Sequence, residues 1–582
     1  MKLAKIGVLL DRATMERRWQ FRLNVFEQYV LELLGHRGIP YSILHSMEEL
    51  DAPGAAYDLL LVAVAPDTRA AADRLWAYAA EGGRLIACGG LNALAPRLGY
   101  VRGETAGTGY ARLPEALGAD RPLRYLQAFP WVRLQVEAAS AADAPAAESV
   151  GDMADGRPDG PRLGPALQRF AIGRGRLDRW AVDVPGTIVG LQQGGGPVFE
   201  DGVPAPDGTA AVDDGVLKAD DVVELNWTWD RLHTETGAPY FAHPYADLWR
   251  EVFVGHLVRS AAELGLSLPF VGYWPDGMEQ VALVSHDSDG NQDVHAASTL
   301  QTLADCGIHS TWCMLESGYS AEMYEQIVAA GHELAFHYNA VEADNGFWDG
   351  EEFARQAEWL RSATGQDRIA SNKNHLTRFE GWGELFRWCE TNRIASDQTR
   401  GPSKKGNVGF IYGTSHPYFP IAWADERNRT YDVLEIGFLT QDLDIGKWSD
   451  SSVIVPFLDE VRKVEGVAHF LYHQVHIHNR EEVRRSMRYL AEEARKRNYV
   501  FWTCEEINDW ERARRALNVS GLDAESVVMA VDSREDATWS GGTDYDAVVW
   551  VPVSAKEAEL DGIVLKYGVP CRKQQVRLGG RG

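Results

Sequence analysis

The stretch Val281-Ala282-Leu283-Val284-Ser285-His286-Asp287-Ser288-Asp289-Gly290 decides the reading of this chain. Four apolar residues, enough for a buried strand, run straight into a loop holding two carboxylates one residue apart. Working outward, the same event repeats. An apolar segment at 309–314 follows a helical pattern at 296–306. Residues 334–336 are apolar and end at His337. The pair Ile369-Ala370 ends at Ser371-Asn372-Lys373-Asn374-His375, residues 394–396 end at Asp397, and 468–472 end at His473. Helical periodicity at 321–330, 351–362, 382–391 and 480–497 separates most of these strands. Alternating strands and helices predict a barrel of parallel strands, whose reactive side chains gather at the C-terminal strand ends.

Histidine placement supports a site there. Of the 16 histidines, 11 lie between residues 286 and 478. An Asp-Ser-Asp loop alone is most simply an Asx-type turn with solvated acids, but acids and imidazoles recurring at five strand ends are hard to explain as solvated loops. Carboxylate and imidazole ligands suit zinc and other divalent first-row metals. A metal held by three protein ligands keeps a position open for water and acidifies it. A second carboxylate beside it serves as general base, and a histidine opposite as proton donor.

Residues 275–512 resemble the polysaccharide deacetylase domain (NodB homology, carbohydrate esterase family 4). Its T-F-D-D-G motif corresponds to Ser285–Gly290, with one residue between the acids. The segments Gly307-Ile308-His309-Ser310-Thr311-Trp312 and Gly331-His332-Glu333-Leu334-Ala335-Phe336-His337 are similar to its G-I-x-A-T-F-F strand and G-H-E-I-G-x-H segment. Phe470-Leu471-Tyr472-His473 is similar to its final L-x-H strand, and 498–506 to its closing strand. The resemblance implies a deformed (β/α) barrel hydrolase with Asp287 as general base, Asp289 and His337 on a divalent metal (zinc foremost), and His473 as general acid. Two features depart from the pattern. Val341 stands where the second metal histidine belongs, and no R-P-P-Y-G motif is present. His375 is the expected replacement ligand, with Glu342 and His476 as alternatives. His476, His416 and Asp397 are expected to line the substrate site, whereas His332 belongs to the turn before its strand.

Residues 1–100 alternate strand and helix (5–10, 21–34, 41–44, 57–64, 70–80, 84–88) and resemble a flavodoxin-like, glutamine amidotransferase-like α/β domain. Cys88 sits where that family places its nucleophile. The leading glycine of the nucleophile turn is absent and no His-x-Glu pair follows, so Cys88 is read as a strand end before Gly89-Gly90 and the domain as non-catalytic. Residues 101–243 become rich in Gly, Pro, Ala and Asp, notably at 138–160 and 194–214, and predict a β-rich insert with long loops. A helix at 245–264 opens the barrel domain, 244–515. Segments 526–531, 547–553 and 562–567 predict a small β appendage over 516–582.

The 582 residues exceed one hydrophobic core. A formal charge of -26 disfavours nucleic acid and anionic membranes and suits a carbohydrate or amide small molecule as substrate. A homo-oligomer is compatible with this composition. Six cysteines without a CxxC pair read as reduced thiols. The apolar run at 6–10 is shorter than a signal-peptide core, and no apolar stretch approaches the ~18 residues of a membrane span, so a cytoplasmic protein is expected. Three functions compete: a metal-dependent deacetylase acting on an N-acyl amino sugar or related amide, another carbon–nitrogen hydrolase, and a carbohydrate-binding or scaffold protein with a degenerate barrel.

Overall fold

In the computed structural model, the strand that decides the reading is Gln280–Asp287 (β1), buried along its whole length. The structure describes residues 1–52, 56–134, 147–209, 215–522, 527–531, 545–554 and 556–578. Seven further strands complete the barrel sheet: Thr311–Met314 (β2), Glu333–Tyr338 (β3), Ser371–Asn374 (β4), Ser396–Asp397 (β5), Leu434–Glu435 (β6), Val467–His473 (β7) and Tyr499–Phe501 (β8). Every pairing is parallel, in the order β6-β5-β4-β3-β2-β1-β7, with β8 beside the first half of β1. Between β6 and β7 a bridge from Thr440 to Phe470 takes the place of a ladder. This is a deformed (β/α) barrel, with helices such as Asp293–Cys306, Gly350–Thr364 and Glu481–Lys496 on its outside.

Alternation along β1 sorts its side chains. Ala282 and Val284 belong to the large core beneath the helices, and Val281 and Leu283 to a second core on the other face. Ser285 and Asp287 continue the Val281–Leu283 series, and His286 faces the helices, where its ring lies 4.5 Å from that of Trp312.

The N-terminal sheet is larger than the segment 1–100. Its nine strands run Ser42–Leu44, Ile6–Leu10, Leu59–Val64, Arg84–Cys88, Gly175–Trp180, Arg162–Ile172, Ala147–Asp155, Gly109–Arg112 and Leu123–Tyr125. Pairing is parallel through Gly175–Trp180 and antiparallel beyond. The boundary expected at residue 100 therefore falls inside one sheet. The later strands cover what would otherwise be an exposed edge at Arg84–Cys88. Residues 147–155, expected in a loop, form a strand of this sheet, whereas 138–146 and 210–214 of the two expected loops lie outside the described residues.

The helix Tyr245–Glu263 is buried between the two bodies. Its His256 accepts from the Trp180 indole at 3.0 Å and donates to the Asp178 carboxylate at 2.8 Å. At the C-terminus, Leu517–Leu522 pairs with Val527–Val531; Ser526, expected in the second strand, lies outside the described residues. Asp546–Pro552, Ile563–Lys566 and Val569–Arg577 form an antiparallel sheet with Phe270–Val271. Among the described residues, no helix is long and apolar enough to cross a membrane.

Candidate metal centre

Register brings the strand ends level. Asp287 pairs with His473 across β1 and β7, and His337 with Lys373 across β3 and β4. Partners in parallel register project to the same side, so four polar side chains converge at one end of the barrel. Gly290 turns the chain after Asp289 with φ 83°, a left-handed conformation that glycine adopts without strain. Ser288, between the two acids, points elsewhere. Its Oγ donates to Asn291 and accepts from the Leu315 amide at 2.8 Å, tying the loop to the end of β2.

Asp289, His337 and His375 each offer a donor atom, and the three atoms lie within 4.8 Å of one another. His337 Nε2 is 3.6 Å and His375 Nδ1 3.5 Å from Asp289 Oδ1. The two nitrogens are 3.4 Å apart. Their other ring nitrogens are engaged: His337 Nδ1 donates to the Lys373 carbonyl at 2.9 Å, and His375 Nε2 to the Asp344 carboxylate at 3.2 Å. These partners fix opposite tautomers and turn both lone pairs toward Asp289. Among the described residues, Asp289 Oδ1 is buried with no hydrogen-bond partner, a costly state that a cation would relieve. The donor set fits a divalent first-row metal.

Beside this trio stands Asp287. Its Oδ2 is 3.7 Å from His337 Nε2 and its Oδ1 3.4 Å from Lys373 Nζ. Lys373 is fully buried and donates to Ser285 Oγ at 2.6 Å; Ser285 in turn bonds His469 at 2.7 Å. On the opposite side, His473 Nε2 lies 3.9 Å from both Asp287 and Asp289. Its Nδ1 donates to Asp442 at 2.5 Å, and Asp442 also accepts the His473 amide at 2.8 Å. Burial works against the charged ring, yet Asp442 together with Asp289 and Asp287 outweighs it and pushes the His473 pKa up to about 9. Trp448 stacks parallel on the His473 ring at 6.0 Å.

Not every residue expected at the site reaches it. Val341 is buried, and Glu342 is exposed and outside the donor trio. His476 packs edge-on against His473 with centroids 5.6 Å apart, so it adjoins the site without joining the trio. Asp397 is fully buried, bonded to Asn372 at 2.7 Å and to Thr399. His416 is not a lining residue. It is buried against Tyr273 and His36, with Nε2 donating to the Val464 carbonyl at 2.6 Å, and none of these partners belongs to the centre. Two site residues have no counterpart in the sequence reading: Lys373 and Asp442. Lys373 was detectable, because a lysine two residues before a strand-end histidine shares an inward face with Ser371. Asp442 lies in irregular chain and carries no such signal.

No protein-family model matches the chain, and no curated protein matches it either. Among solved structures, a candidate polysaccharide deacetylase from Mycobacterium smegmatis is 14% identical, with the match covering 44% of this chain and 98% of that one at a TM-score of 0.32. A candidate polysaccharide deacetylase involved in O-antigen biosynthesis from Bordetella bronchiseptica is 18% identical, covering 43% and 89%, at a TM-score of 0.25. A cold-adapted β-galactosidase from Rahnella sp. R3 is 19% identical over 31% of this chain, at a TM-score of 0.23, and the chain spans only 28% of that enzyme's length. All three likenesses are distant.

Proposed function

We propose that the protein is a metal-dependent hydrolase of the polysaccharide deacetylase type, removing an acyl group from an N-acyl amino sugar or a related amide. The convergence of Asp289, His337 and His375 carries this reading: three donor atoms within 4.8 Å, two with their lone pairs fixed inward by other partners. A divalent cation held there, zinc foremost, supplies Lewis acidity for the acyl oxygen and a nucleophilic water at neutral pH. Asp287 is placed to take the proton of the attacking water. His473, charged through Asp442, protonates the nitrogen as the carbon–nitrogen bond breaks. Lys373, anchored on Ser285, sets its charge 3.4 Å from Asp287. Asp287 and His473, register partners on adjacent strands with 3.9 Å between Oδ2 and Nε2, both face the centre.

Val341 supports a second reading, a barrel that binds saccharide without metal. Metal analysis separates the two. The hydrolase is expected to purify with stoichiometric divalent metal and to release acid from an N-acetylated chito-oligosaccharide, and His337→Ala is expected to lose both. If no stoichiometric metal is present and His337→Ala binds added zinc as the parent does, the hydrolase reading fails.

A further inference from the structure

A second concave site lies on the seam between the N-terminal body and the barrel. It is a cleft of about 730 Å³, within the range of about 300–1,000 Å³ typical of small-molecule sites. One wall is the helix Arg12–Gln20 and its exit, the other the segment 423–427. Each wall presents a tryptophan followed by an arginine: Trp19 and Arg22 on one, Trp423 and Arg427 on the other. Each also brings a carboxylate, Glu16 and Asp425.

The cleft is preformed. Asn428, fully buried, joins the walls. Its Oδ1 accepts the Trp19 indole and the Val25 amide, both at 2.8 Å, and its Nδ2 donates to Asn24 at 3.0 Å and to the Ala422 carbonyl at 2.9 Å. The Trp19 ring therefore cannot swing away. Trp423 is braced by Trp382 at 4.7 Å and by Phe26 at 5.7 Å. Both arginines have left-handed backbone, φ 55° and 56°, which bulky residues rarely adopt. The Arg427 guanidinium lies 6.0 Å over the Trp19 ring of the opposite wall. Neither Arg22 nor Arg427 has an ion pair or side-chain hydrogen bond among the described residues, and both are exposed.

Half-buried indole faces beside free guanidinium donors and carboxylate acceptors select a particular chemistry. A pyranose has apolar C–H faces that lie flat on an indole. Its hydroxyls donate to carboxylates and accept from the fork of an arginine. A polyphosphate would face Glu16 and Asp425. A lipid chain would strip water from the arginines without replacing its hydrogen bonds. We propose that this cleft is a saccharide-binding site for a pyranose oligosaccharide, distinct from the barrel centre and independent of the hydrolase reading.

The test is titration of the full chain with cellotriose and with triacetylchitotriose, followed by calorimetry and tryptophan fluorescence. At least one is expected to bind with a dissociation constant of about 1 mM or tighter. Trp19→Ala and Arg427→Ala should each weaken it about tenfold, equivalent to roughly 1.4 kcal/mol. Arg427 is exposed, so its variant keeps the test decisive if Trp19→Ala fails to fold. The proposal is overturned if neither sugar binds, or if binding survives Arg427→Ala. Should binding instead vanish in His337→Ala and persist in Arg427→Ala, the sugar occupies the barrel, and the cleft proposal falls while the hydrolase reading stands. Arginine-dependent binding by a protein that takes up no metal has the opposite consequence.

Discussion

At the end of β1, Asp287 has His337, Lys373 and His473 within 3.9 Å. At the end of Arg84–Cys88, in the other parallel sheet, Cys88 has the Asp183 carboxylate, the Arg179 side chain and an apolar wall that includes Val30, Pro185 and Phe253. Both side chains stand at C-terminal strand ends of helix-covered sheets, where ligand and catalytic groups usually collect. The strands alongside make the difference. Those flanking β1 and β4 end on His473 and His337, level with Asp287 and Lys373. Those flanking Arg84–Cys88 bring up Trp180, level with Cys88, and Val62, level with Ala87. Position makes a residue available. Chemistry depends on what neighbouring strands deliver in register.

Substitutions in the barrel should separate these contributions by size. On the hydrolase reading, Asp289→Asn and His337→Ala remove proposed ligands, so hydrolysis should fall to background together with metal content, measured by elemental analysis. Asp287→Asn should keep the metal and lose about 10²–10⁴ in kcat, the usual contribution of a general base. Full activity in Asp287→Asn would reassign the base. Asp442→Asn leaves His473 in place but removes the carboxylate that orients and charges it. A loss of about 10–100-fold in turnover is expected, as for other orienting partners, with metal content unchanged. If Asp442→Asn loses metal instead, Asp442 belongs to the metal's holding frame rather than to the acid.

The same comparison explains what could be read from the sequence. Strand β1 and the histidines at the ends of β3 and β7 follow from local alternation and spacing, so Asp287, Asp289, His337 and His473 were visible. His375 is expected only through the resemblance, which puts a metal histidine where Val341 stands, and the pairing of β3 with β4 brings it within 3.4 Å of His337. Lys373 is marked only by its alternation with Ser371 and His375, because Ser-Asn-Lys-Asn has no apolar residue. Only β3 and β5 on either side make it a strand, with its lysine inside the barrel. His416 is expected only as a lining residue, and its chain runs along the outer seam against His36 and Tyr273. The extended N-terminal sheet was hidden for a related reason. Pairing between residues 84–88 and 176–180 is non-local, and the change of composition after residue 100 resembles a domain change.

The smallest expected effect lies in the other sheet. Cys88→Ser should leave metal content and hydrolysis unchanged, because Cys88 touches neither the centre nor a base. Its thiol carries a sharper signature. Burial pushes its pKa well above the ordinary thiol value, and the Asp183 carboxylate adds to the shift; the nearby Arg179 guanidinium opposes it without winning. Only the thiolate reacts with alkylating agents. Iodoacetamide at pH 8, where an unperturbed thiol of pKa about 8.5 is partly ionised, should therefore modify Cys88 slowly in the folded protein and readily in urea, as read by mass spectrometry of its peptide. Rapid labelling of the folded chain would mean that the Arg179 guanidinium lowers the thiol pKa by more than burial and Asp183 raise it. The contrast between the two sheets would then fail at the point where it is drawn, since Cys88 would have an activating neighbour as Asp287 does.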